Sequence, residues 1–73
     1  MKIGDKVKVK NNKNLLNSNI KVNDIGKIIC FKESQFFIYV GVEFNEDING
    51  HDCGGKGKKN RCAWITKSHL EVV

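Results

Sequence analysis

Hydrophobic and polar positions alternate in short runs along this chain, and glycine, asparagine and lysine separate the runs. In the first, Ile3 to Lys10 (I-G-D-K-V-K-V-K), Val7 and Val9 alternate with Lys6, Lys8 and Lys10. A period of two sends successive side chains to opposite faces, so this run predicts a strand with one buried face, entered through a Gly4-Asp5 turn. Asn11 to Asn23 has no sustained period and predicts a long first loop. One or two of Leu15, Leu16, Ile20 and Val22 would pin it to the core, and a short helical turn at Leu15–Leu16 is a further option.

Asp24-Ile25-Gly26 signals a turn, with a second strand expected over Lys27 to Phe31. The polar Glu33-Ser34-Gln35 then connects to a third strand, Phe36 to Phe44. Within it, Ile38, Val40 and Val42 suit the core better than Phe37 and Tyr39, which should be partly exposed on the opposite face. A fourth strand is expected over Cys62 to Thr66, a short turn at Lys67-Ser68-His69, and a fifth strand over Leu70 to Val72. Phe44 and Ile65 read as core. No proline and almost no helical period occur, so the expected fold is all-β: a small, strongly bent, five-stranded antiparallel barrel. It forms one domain over 1–73, with no repeat or linker, near the lower size limit for a self-sufficient core.

Between the third and fourth strands lies a loop holding Gly50, Gly54, Gly55 and Gly57 with Lys56, Lys58, Lys59 and Arg61. Each glycine costs a helix about 1 kcal/mol relative to alanine, so no helix fits there. Loops this long inside so small a domain are usually functional or disordered. With four glycines and repelling cations, residues 52–60 are expected to be mobile until an acidic partner or a metal orders them. The rival reading is a preformed loop, closed where Cys53 approaches Cys62.

The net charge of +5 and pI near 9.3 suit an acidic partner. Twelve Lys, nine Asn and eight Ile fit the drift of an AT-rich coding sequence equally well. No apolar run reaches the ~18–20 residues that cross a bilayer, and no leader is visible, so a cytoplasmic protein without membrane contact is expected. Three cysteines exclude a complete disulfide framework and suggest reduced thiols.

G-D-K-V-K-V-K, D-I-G-K-I-I, V-G-V-E-F and W-I-T-K-S-H-L-E-V-V follow the order of SH3-like barrels. The pattern resembles the CAP-Gly domain most closely. Gly41-Val42-Glu43-Phe44 is similar to its third strand, with Glu46-Asp47 as the acidic residues that follow. Gly50-His51-Asp52-Cys53-Gly54 resembles its G-K-N-D-G motif, with His51 in place of the lysine and Asp52-Cys53 in place of Asn-Asp. Trp64 to Glu71 is similar to its final strands, and the first half also resembles KOW or Tudor-type barrels. The resemblance implies a groove, formed by the glycine loop and nearby aromatics such as Trp64, that takes acidic and often C-terminal peptide tails. The G-H-D-x-G-G-x-G-K loop also resembles those of small bacterial and phage proteins.

His51, Cys53, Cys62 and His69 are residue types that bind zinc, and a small domain would gain much from a metal. No Cys-x-x-Cys knuckle is present, however, and His-x-Cys is not a usual pairing, so no metal and no cofactor are expected. Cys53 or Cys62 beside a histidine supplies the parts of a nucleophile. A barrel this small offers no deep cleft or oxyanion-hole helix, so no enzyme is expected. The basic loop lacks the strand–G-x-x-x-x-G-K-[ST]–helix context of a nucleotide site.

The leading expectation is therefore a non-enzymatic module that binds an acidic peptide or protein surface. His51, Lys56, Lys58, Lys59 and Arg61 would supply charge contacts, and Trp64 and Tyr39 apolar anchors. A phage-type protein could use such a surface to inhibit a host protein, such as a defence nuclease. The alternative is nucleic-acid binding through the basic loop 56–61 in a KOW-like module. Against it stand Glu43, Glu46, Asp47 and Asp52, which flank the loop and repel phosphate unless the two patches face apart.

Overall fold

Alternating valine and lysine in K-V-K-V form strand β1, Lys6–Val9, with both valines buried. The computed structural model describes residues 1–15 and 17–73. It continues with β2 (Ile25–Glu33), β3 (Ile38–Phe44), β4 (Cys62–Thr66), a single 3₁₀ turn over Lys67–His69, and β5 (Leu70–Val72). β4 and β5 have the expected bounds. β1 is shorter than its alternating run, and β2 is longer at both ends. β3 begins two residues later, because Ser34, Gln35, Phe36 and Phe37 form the hairpin turn. There Ser34 N–H donates to the Phe37 carbonyl at 2.9 Å, and Phe37 N–H donates to Ser34 Oγ at 3.3 Å.

All neighbouring strands pair antiparallel in one sheet of order β4-β3-β2-β1-β5. The all-β class is as expected, but closure into a barrel is not seen: β4 and β5 are the two sheet edges. One face carries the main core. Val7, Val9, Ile28, Val40, Val42, Phe44, Ala63, Ile65 and Leu70 meet there, joined by Ile20 and Ile48 from loops.

The long first loop is held as expected, by Ile20, which is buried, and Leu15, which packs against the core. Val22 is exposed, and Leu16 lies outside the described residues. Asparagines complete the fastening. The amides of Asn17 and Asn19 both donate to the Ile48 carbonyl, at 3.0 and 2.9 Å, tying this loop to the segment after β3. Asn14, Asn23, Asn49 and Asn60 also hold positive φ values, a backbone region that asparagine tolerates better than most residues. The asparagine content thus has structural uses beyond codon drift.

One irregularity decides what the other face becomes. Ile28 pairs with Val42, yet Cys30 pairs with Gly41, so a bulge lies between Ile28 and Cys30. An extra residue in one strand reverses its alternation from that point on. Ile28 faces the main core, while Cys30 turns to the opposite side, against Gly41 and Trp64.

A candidate binding face beneath the glycine loop

On that opposite side Cys30, Cys53 and Cys62 form a second buried cluster, with Ile29 and Trp64 packed against it. The three thiols come from β2, the glycine loop and β4, and all are free. Gly41 is the floor. A Cβ there would lie 2.5 Å from Cys30 Sγ, 3.0 Å from the Trp64 ring and 3.1 Å from Cys53 Sγ. Gly57 brings the returning loop down onto the cluster, where a Cβ would meet Cys62 Sγ at 2.5 Å and Ile29 at 2.6 Å. Burial pushes the Cys53 thiol far above its usual range, with Cys62 and Cys30 adding to the effect. Burial also raises Cys62, helped by Glu43 and Asp52, although its hydrogen bond with Cys53 works the other way. Neutral, buried thiols are poor nucleophiles.

The loop is tied down at Cys53, Gly57 and Lys58 and at both of its ends, which favours the preformed reading over mobility across 52–60, although Gly54, Gly55, Lys56, Lys58 and Lys59 are exposed. Cys53 is buried. Gly57 N–H donates to the Asp52 carbonyl at 2.9 Å, and Lys58 N–H donates to Glu43 Oε1 at 2.8 Å. The Asn60 carbonyl accepts from Ile48 and Gly50. His51 and Cys62 exchange backbone hydrogen bonds at 3.0 Å, forming an isolated bridge beside β4. These contacts offset the entropy of the glycines and the repulsion among the loop cations. Only Gly54 and Gly55 at the tip have open space around them.

His51 and Trp64 come together. Their rings stack with centroids 5.6 Å apart, and His51 Nδ1 accepts the Cys53 backbone N–H at 2.9 Å. Lys32 Nζ lies 5.6 Å from the centre of the Trp64 ring, within cation–π range. Trp64 is half-buried and sits on the thiol side of the sheet, apart from the main core. Tyr39 is also half-buried; it pairs with Lys32 and Thr66, and its ring lies 6.1 Å from that of Phe37. Beside the stack, Leu15, Ile20, His51 and Trp64 help line a groove of about 200 Å³.

The cations separate into two kinds. Lys56, Lys58 and Lys59 are exposed. Arg61 is half-buried and donates from its guanidinium to the Asn45 carbonyl at 2.9 Å, so it braces the loop's exit. Lys32, Cys30 and Gly41 were missed by sequence reasoning. Lys32 belongs to the face only through strand pairing, and Cys30 only through the bulge.

The four zinc-type residues do not assemble. His69 lies at the 3₁₀ turn, where its Nδ1 is 2.6 Å from the Thr66 hydroxyl and its Nε2 is 2.8 Å from the Lys13 carbonyl. Among the described residues, no group of three or more His, Cys, Asp or Glu side chains is arranged to hold a metal ion. No helix among them is long and apolar enough to cross a membrane. No family model matches the chain, and neither does any curated protein or solved structure.

Proposed function

We propose that this chain is a non-enzymatic binding module for an acidic peptide or protein surface, built as an SH3-like domain of the CAP-Gly kind. The observation that carries the reading is the stacked His51–Trp64 pair, flanked by Lys32 and by a groove of about 200 Å³. An acidic segment would place an apolar side chain or a terminal carboxylate there. Lys32 and the exposed Lys56, Lys58 and Lys59 would supply the long-range attraction. Inhibition of a host protein by a phage-type chain remains one setting for this chemistry.

Base stacking suits the site less well. Single-strand binders offer free aromatic faces to successive bases, whereas the Trp64 ring already carries His51 and Lys32. The test is fluorescence anisotropy with a labelled polyglutamate peptide bearing a free C-terminal carboxylate. Single-stranded DNA, duplex DNA and RNA are titrated alongside at two salt concentrations. The peptide is expected to bind, and Trp64→Ala to abolish the signal. Lys58→Ala and Lys59→Ala should each weaken binding by no more than about fivefold, as exposed charges do. Absence of peptide binding would overturn the proposal if nucleic acid binds instead with an affinity falling about 0.7–0.9 log units per phosphate contact per decade of salt.

A further inference from the structure

Beyond that face, the β2–β3 hairpin ends in an apolar tip that the main core does not use. Phe36 is 80% exposed, Phe37 56%, Ile38 54% and Phe31 41%. Exposed apolar surface gathered in one place usually marks a contact with another macromolecule or a membrane. Its distribution separates the two. Phe31 and Ile38 lie on one side of the hairpin, where they line a cavity with Met1 and Val40. Phe37 lies on the other side, against Tyr39. Phe36 projects from the turn between them. A docked protein covers one side of a hairpin, whereas an apolar collar around its end suits a medium that surrounds it.

Two further features favour a bilayer surface. Across the turn, the polar groups of Ser34 and Phe37 satisfy one another. Ser34 N–H donates to the Phe37 carbonyl, Ser34 Oγ also bonds that carbonyl at 3.2 Å, and Phe37 N–H donates back to Ser34 Oγ. Backbone groups entering a low-dielectric layer need such internal partners. The surrounding charge also has the right sign. Lys67 lines the cavities on both flanks of the tip, Lys32 stands one residue from Phe31, and the chain carries +5 overall. Glu33 is the one acidic residue lining those cavities.

We propose that the β2–β3 hairpin tip seats Phe36, Phe37 and Ile38 in the interfacial layer of an anionic lipid membrane, with Lys32 and Lys67 at the headgroups. This is peripheral attachment, which needs neither a spanning segment nor a leader and so departs from the expectation of no membrane contact.

The test is co-sedimentation of the full chain with vesicles of phosphatidylcholine containing roughly a third phosphatidylglycerol, against vesicles of phosphatidylcholine alone. Binding is expected to the anionic vesicles and to weaken with salt. The double variant F36S/F37S should lose about tenfold or more in partitioning, given the apolar area withdrawn. Its thermal melt should be unchanged, because both rings are largely exposed. Lys58→Ala, on the glycine loop, should retain binding within about threefold. Failure of the wild-type chain to bind anionic vesicles at low salt would overturn the proposal. So would F36S/F37S binding as well as wild type, since attachment would then be by charge alone. A concentration-dependent dimer abolished by F36S/F37S, without vesicle binding, would overturn it in favour of self-association. None of these outcomes depends on whether an acidic peptide binds near Trp64.

Discussion

At Gly41 the missing side chain is what allows a second core to form. The residue sits in the middle of β3 with no positive φ to demand glycine, so its role is purely one of space. Cys30 and Cys53 close from two sides and the Trp64 ring from a third. Gly41→Ala must displace at least one of them, and overpacking of this kind costs about 1–3 kcal/mol. Urea denaturation is expected to show that loss, together with a change in the Trp64 fluorescence of the folded state. An unchanged midpoint and spectrum would mean that the thiol cluster yields without cost. Gly57 plays the same part from the loop side, against Cys62 and Ile29.

Among the elements, the glycine loop is the one whose character depends most on its surroundings. Its tip at Gly54 and Gly55 is open, while its two ends are tied to β3 and β4. The Glu43 carboxylate reaches across to the Lys58 backbone N–H. Amide hydrogen exchange should therefore protect Gly57 and Lys58 relative to Gly54 and Lys56, in the reduced protein and without any ligand. Glu43→Ala should lower protection at Lys58 by about tenfold or more, the worth of a hydrogen bond to a charged acceptor. Uniformly fast exchange from 54 to 60 in the wild type would restore the picture of a loop ordered only by its partner. Glu43, whose charge opposes phosphate binding, thus has a structural task as well.

For the whole molecule, the buried thiols tie stability to pH. Cys53 and Cys62 hold their protons more tightly when folded, mainly because burial disfavours the thiolate. An unfolded cysteine ionises near pH 8.5, so above that value the unfolded state releases protons that the folded state retains. The contribution is fully present below about pH 8 and is lost as pH rises toward the folded values. Thermal unfolding is expected at a nearly constant temperature from neutral pH to about 8, then at falling temperature above it. Cys53→Ala should flatten that alkaline decline even if it lowers the starting point. An equally steep decline in the variant would assign the effect to other groups.

Much of this architecture was legible in the chain. The period of two placed all five strands, because alternation is a local property that a half-buried sheet imposes on sequence. The K-S-H turn and the bounds of β4 and β5 followed from the same pattern. The exposed pair Phe36 and Phe37 was harder to read, since aromatic residues suit strands in general. The pattern gave no reason for β3 to begin at Ile38 instead of Phe36. Cys30 was not legible at all. In I-I-C-F a regular strand sets Cys30 on the same face as Ile28, and only the bulge against β3 turns it away. The sequence by itself determined the strands, the loop lengths and the positive charge, because those depend on neighbours along the chain. Tertiary structure decided that the sheet has two buried sides, that Lys32 and His51 meet Trp64, and that His69 lies apart from the cysteines. Those outcomes depend on register across strands, where a shift of one residue exchanges one face for the other.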